Sequence, residues 1–254
     1  YVVDQKKKAE GFVGGGPEAL FVERVTPRSL RSQQLLAVAS CVFVLTLALD
    51  RGYVGARGGM VWNWSGTGGA GKTVCLHTVA YALCNLARER GVRGWQSFAK
   101  VFAPTGTAAK KAGGRTNHSG WNLPTKGGWA EVGHLSGLSK RDLQAFFKFT
   151  WVCFFDEKSM MGQNQVGAVD TRAGDAFPDT DPRSSVPWDP YGDGRFKEQV
   201  LPPGVERRPA GLREFALNVF VGGYGQLPSV FDPPMYNRGH SNLAHRGKRV
   251  IEEM

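Results

Sequence analysis

The chain has 254 residues, with 32 Lys and Arg against 22 Asp and Glu, giving a formal net charge of +10. Its 41% hydrophobic and 21% charged residues suit one or two globular domains and exclude a collagen, a disulfide scaffold and an acidic disordered chain. The positive excess points to a polyanionic partner, nucleic acid before an anionic membrane, with a merely basic soluble protein as the alternative.

Residues 1–28 read as a flexible basic lead-in, because Gly11 and Gly14–Gly16 break any helix. Ser29–Leu49 reads as a helix. Its apolar run, Leu35–Leu49, is fifteen residues long, short of the ~18 expected of a membrane span, so a buried helix and no membrane are expected. Met60–Trp64 reads as a strand and Thr73–Arg90 as a helix, with Leu76, Val79, Ala80, Leu83, Leu86 and Ala87 on one face and Gly91 as its stop. Ser97–Ala103 alternates as a strand does. Residues 112–137 are Gly-rich. Ser139-x-x-Asp142 resembles a capping box opening a helix that runs to Lys148. Thr150–Phe155 and Ala216–Val221 read as buried strands. Seven of the fourteen prolines fall within 178–209, so 178–215 is expected to be a long loop or disordered insertion. Strands alternating with helices give an α/β class with a mainly parallel sheet. The four cysteines, Cys41, Cys75, Cys84 and Cys153, form no C-x-x-C and are expected to be reduced thiols.

One segment carries chemistry by itself. Gly66-Thr-Gly-Gly69-Ala-Gly71-Lys72-Thr73 matches G-x-x-x-x-G-K-[ST], between an expected strand and an expected helix. Glycines at these positions let backbone N–H groups fold around phosphate oxygens. Lys72 is placed to reach the β- and γ-phosphates of ATP, and the Thr73 hydroxyl to hold Mg²⁺. Asp156-Glu157 follows an apolar strand, where Asp156 can complete the metal site and Glu157 can orient and deprotonate a water.

Taken in order, these motifs resemble those of the PIF-type DNA helicases, RecD-like members of superfamily 1 that also occur in Helitron transposons. Gln34, in Leu30-Arg-Ser-Gln-Gln34, is similar to the adenine-contacting glutamine motif, and Gly66–Thr73 to motif I. Ala103-Pro-Thr105-Gly-Thr-Ala-Ala109 resembles motif Ia, and Gly113-Gly-Arg-Thr116-Asn-His118-Ser119 its continuation. Asp156-Glu157-Lys158-Ser159-Met160 is similar to the D-E-I-S-M of motif II, and Gly222-Gly-Tyr-Gly-Gln226-Leu-Pro228 to motif III. The resemblance implies a RecA-like P-loop NTPase domain over 29–254. It implies ATP hydrolysis coupled to 5′-to-3′ movement on single-stranded DNA, and an intracellular setting (nucleus or mitochondrion in a eukaryote) with roles in repair, recombination or telomere maintenance. Carried over by position, Lys72, Glu157 and Gln226 are catalytic, with Gln226 sensing the γ-phosphate. Gly66, Gly69, Gly71, Lys72, Thr73 and Gln34 bind nucleotide, Thr73 and Asp156 bind Mg²⁺, and Thr105 and His118 lie near DNA. Trp121 has two readings, a stacking platform for a base or a core residue.

Three positions depart from the family pattern. Lys158 stands where an apolar residue is expected, Gly223 where motif III has Asp, and Asn117 at an apolar position. The resemblance ends with motif III and so covers the first of the family's two motor domains. A non-hydrolysing remnant of a mobile element is one alternative. Another P-loop enzyme, such as a small-molecule kinase, is a second, and it leaves Gly225–Pro228 and Thr116-x-His118-Ser119 unexplained.

Overall fold

A computed structural model of the chain describes residues 30–51, 59–125, 129, 132–177, 211–212, 215–223, 228–229, 232, 234–235 and 241–252. The lead-in expected at 1–28, nearly all of the insertion expected at 178–215, and Gln226 lie outside these residues.

Among the described residues, five strands form one all-parallel sheet in the order β1-β5-β4-β2-β3. They are β1 (Met60–Ser65), β2 (Ala99–Ala103), β3 (Arg115–Thr116), β4 (Val152–Phe155) and β5 (Leu217–Gly222). Among the described residues, seven α-helices accompany them: α1 (Ser32–Arg51), α2 (Lys72–Glu89), α3 (Gly106–Ala112), α4 (Asn117–Gly120), α5 (Gly137–Phe147), α6 (Gln163–Asp175) and α7 (Asn242–Glu252). The expected α/β class and parallel sheet are what the chain adopts, with the phosphate-loop strand and the acidic strand separated by one strand, β5.

β4 is apolar on both faces, as a parallel strand covered on both sides is expected to be. In β4, Val152 and Phe154 face a core built with α1 and α2, while Cys153 and Phe155 face a second core built with α5, α6 and α7. The first core is aliphatic. Val38, Cys41, Leu45, Ala48 and Leu49 of α1, at helical spacing, join Leu76, Val79, Ala80, Leu83 and Ala87 of α2. Arg90, just beyond α2, pairs with Asp50 at 3.0 Å and ties the ends of the two helices.

The expected burial of α1 holds for one face only. Leu36 and Phe43 are 68% and 63% exposed. Ser32–Asp50 is also long and apolar enough to cross a membrane by length and composition, because the helix outruns the apolar run at both ends. Its inner face is nevertheless committed, since Cys41 and Leu45 are fully buried in the aliphatic core.

Aromatic rings dominate the second core. Trp121 is fully buried, stacked on Phe147 at a centroid distance of 4.3 Å and flanked by Phe102 at 5.1 Å, Phe215 at 5.8 Å and Phe155 at 6.0 Å. Of its two readings, core packing is the one realised. An indole enclosed by four Phe rings has no face left for a base.

Element ends differ from expectation for local reasons. Ser97 belongs to a 3-10 turn, Trp95–Ser97, so β2 starts two residues later than expected. α5 begins at Gly137 on Ser136 rather than at the Ser139–Asp142 pair, which therefore lies inside the helix. Gly91 does stop α2, with φ +70° in the left-handed region. All four cysteines are buried free thiols.

Trp121→Ala leaves a large hole in the aromatic core and is expected to lower stability by about 3–5 kcal/mol, read from urea denaturation. A loss below about 1 kcal/mol would mean that the indole is not enclosed as described.

Candidate nucleotide site

In a parallel sheet every strand delivers its following loop to the same edge, and ligands of open α/β sheets bind there. At this edge β1 runs into the loop 66–71, β2 into Thr105, β3 into Asn117 and His118, and β4 into Asp156 and Glu157. Sequence positions spread over ninety residues are thereby brought onto one rim.

The loop turns sharply at two glycines. Gly69 and Gly71 have φ of +74° and +78°, values that residues with a Cβ adopt at a cost. Beside Gly69 there is open space where a side chain would be. At Gly71 a Cβ would come within 2.5 Å of Gln34 Nε2. That approach is used: Gln34 Nε2 donates to the Ala70 carbonyl at 2.8 Å, and Gln34 Oε1 accepts from the Arg31 N–H at 2.8 Å. The first turn of α1 thus clasps the loop. Gln34, the residue the resemblance places at adenine, thus holds its amide against the phosphate loop.

Lys72 opens α2 and folds back, its Nζ donating to the carbonyls of Gly66 at 2.8 Å and Thr67 at 2.9 Å. The ammonium therefore rests inside the arch of its own loop, where an anion would draw it across. Next in sequence, Thr73 Oγ1 lies 3.5 Å from Asp156 Oδ2, a residue 83 positions away. This pair is the expected metal site. Its hydroxyl and carboxylate are hard oxygen donors of the kind Mg²⁺ takes, alongside water and phosphate. Their side-by-side placement fits such an ion.

Burial pushes the Asp156 carboxyl up from the usual carboxylate range, opposed by the Glu157 N–H, by His77, by Lys72 and by the Thr73 hydroxyl. Its Oδ1 accepts from the Glu157 N–H at 3.0 Å. Glu157 has φ +53°, an uncommon backbone for a residue with a side chain, and it opens the 3-10 turn Lys158–Met160. His77, one turn beyond Thr73 on α2, hydrogen-bonds the Ala112 carbonyl through Nε2 at 3.0 Å, and burial pulls its pKa down. Sequence reasoning missed His77, and its helical spacing from Thr73 was the available signal.

The two residues expected near DNA sit farther along the rim. β2 and β3 are neighbours, with Ala103 opposite Thr116, so the segments after them emerge side by side. Thr105 caps α3, its hydroxyl accepting from the Ala108 N–H at 3.2 Å. Thr116 caps α4 in the same way through the Ser119 N–H at 3.1 Å. His118, on α4, is half-buried against Trp129 with ring centroids 5.6 Å apart, and burial lowers its pKa. Asn117 is fully buried beneath it.

Lys158, which stands where the family pattern has an apolar residue, is accommodated. It is fully buried, and its Nζ donates to Asn63 Oδ1 and, at 2.8 Å, to Ser65 Oγ on β1. Burial, with Lys72 nearby, pulls its pKa down to about 8.

No protein-family model matches the chain, and no curated protein matches it. Solved structures similar to it include the Pif1 helicase of Candida albicans, at 18% identity and a TM-score of 0.47, covering 79% of this chain and 34% of that one. A Bacteroides Pif1 helicase in complex with ADP-AlF3 and single-stranded DNA is similar at 18% identity and a TM-score of 0.41, covering 74% and 33%. Unliganded Pif1 from Bacteroides sp. is similar at 18% identity and a TM-score of 0.43, covering 80% and 34%. The chain spans about a third of the length of each of these.

Proposed function

We propose that this chain is a nucleotide-binding motor domain of a PIF-type DNA helicase, which takes ATP with Mg²⁺ at the loop 66–73 and single-stranded DNA along the rim beyond it. The observation that carries the reading is the meeting of Thr73 and Asp156 at 3.5 Å, beside Lys72. Two acceptor oxygens and one ammonium converge at the mouth of a glycine loop, and phosphoryl transfer asks for that set of groups.

On binding, Lys72 exchanges the carbonyls of Gly66 and Thr67 for phosphate oxygens, while the loop N–H groups and the start of α2 face the anion. Thr73 and Asp156 would hold Mg²⁺, which would neutralise phosphate charge there. Glu157, adjoining Asp156, receives the proton of the attacking water. Gln226 senses the terminal phosphate in this scheme. Thr105 and His118, on neighbouring segments, contact the strand, and the net positive charge of the chain favours its phosphates. Movement from 5′ to 3′ and roles in repair, recombination or telomere maintenance follow from the family resemblance and belong to this proposal, as does an intracellular setting.

Titration calorimetry tests the nucleotide half. Lys72→Ala removes a charge-assisted contact and is expected to weaken Mg²⁺·ATP binding by roughly 10- to 150-fold, while Glu157→Gln leaves binding intact. Equal affinity in wild type and Lys72→Ala would refute the assignment.

Fluorescence anisotropy tests the DNA half. Binding to single-stranded oligonucleotides is expected to be sequence-tolerant and to fall steeply as salt is added, because released counterions supply most of the affinity. Absence of binding at low salt, or indifference to salt, would count against a DNA-binding rim.

A further inference from the structure

β1 and β4 carry the two halves of the candidate site, yet they are not neighbours; β5 lies between them. The halves must therefore be held in register across an intervening strand. Besides the Thr73–Asp156 contact, the Lys158 side chain makes that crossing. Lys158 leaves the turn after β4, and its Nζ ends on Asn63 and Ser65, both on β1 and on the same face of it. Asn63 and Ser65 are themselves joined, the Ser65 hydroxyl donating to Asn63 Oδ1 at 3.1 Å. Gly66, the first residue of the phosphate loop, follows directly.

The strand in between makes room. Ser65 is paired with Gly222, the last residue of β5. A Cβ on Gly222 would lie 2.9 Å from the Lys158 backbone nitrogen and 3.0 Å from its Cγ, and Gly222 has φ +151°. The lysine stem thus passes over Gly222, the last residue of β5, which has no side chain. Lysine has the length for this crossing. The apolar residue that the family pattern places here lacks the terminal donors for it.

We propose that Lys158 is a positioning residue: by tying the acid-bearing turn to the strand that carries the phosphate loop, it sets the spacing between Thr73 and Asp156 on which Mg²⁺-dependent nucleotide binding rests. The purpose assigned to this brace depends on the nucleotide reading given above; the brace itself does not. Lys158 touches no substrate atom in this account. It acts through Asp156 and Glu157, the residues immediately before it. Gly222 belongs to the same device, since any side chain there would meet the lysine.

Lys158→Met keeps the length and apolar body of the side chain and removes its donors, and Lys158→Arg keeps donors at the tip. Two measurements on the full chain separate the brace from its purpose. The first is hydrogen–deuterium exchange of the ligand-free protein over residues 156–161. The amides of Asp156, Met160 and Met161, bonded to the carbonyls of Phe102, Glu157 and Lys158, report on that turn. In Lys158→Met they are expected to exchange at least about tenfold faster, with amides of α2 unchanged, and in Lys158→Arg to return toward wild type. Unchanged exchange, or acceleration spread evenly over the sheet, overturns the brace whether or not ATP binds.

The second measurement is ATP affinity by calorimetry, with Mg²⁺ and with EDTA. Lys158→Met is expected to leave affinity in EDTA within about twofold of wild type and to cut the gain from Mg²⁺ by about tenfold, with Lys158→Arg recovering most of it. An intact Mg²⁺ gain in Lys158→Met, or equal losses in both conditions, overturns the positioning role. A wild-type chain that binds no ATP in either condition overturns the nucleotide reading, and the role with it, while the exchange result still decides the brace.

Discussion

The candidate site rests on β5 lying between β1 and β4. A phosphate loop and an acidic strand end are separately unremarkable features. They become a site because both strands run in the same direction and finish at the same edge, one strand apart. That offset leaves a gap at the rim about two strand spacings wide, roughly 10 Å. Thr73, the second residue of α2, reaches into the gap from one side, and Asp156 closes it from the other. Covering both faces of the sheet with helices fixes this arrangement, because β4 and β5 are held by side chains above and below as well as by their ladders.

Burial then decides the electrostatics. Asp156 is partly withdrawn from water, and its carboxyl is raised by that withdrawal despite the Glu157 N–H, His77, Lys72 and Thr73 around it. Lys158 is affected in the opposite direction by the same cause, so the rim holds a carboxyl reluctant to ionise and ammoniums close together.

How much of this the sequence disclosed depended on the length and periodicity of each element. α2 was legible because Leu76, Val79, Ala80, Leu83 and Ala87 repeat at helical spacing and Gly91 ends the run. β4 was legible because four buried apolar residues precede two acids. β3, with two residues, and α4, with four, are too short to show a period. α6 and α7 were hidden for a different reason. They approach so closely that glycine is required at the crossing: a Cβ on Gly167 would lie 1.9 Å from the Leu243 carbonyl oxygen, and one on Gly247 2.0 Å from that of Gln163. In a sequence read alone, those glycines look like helix breakers. Thr73 and Asp156 could be named from motif spacing, whereas the Lys158 crossing could not, because its target on β1 depends on the strand order. Trp121 shows the same limit. Its burial follows from Phe147 and Phe215, which are distant in sequence and converge on it only after folding.

The central claim is that Thr73 and Asp156 act as one unit on a metal ion. A double-mutant cycle tests it most directly, with ATP affinity measured with and without Mg²⁺ for wild type, Thr73→Ala, Asp156→Asn and the double variant. If the pair holds a shared Mg²⁺, either single change removes most of the gain in affinity that Mg²⁺ confers, and the second change removes little more. Independent, additive losses, or a Mg²⁺ gain that survives in both single variants, would contradict the account.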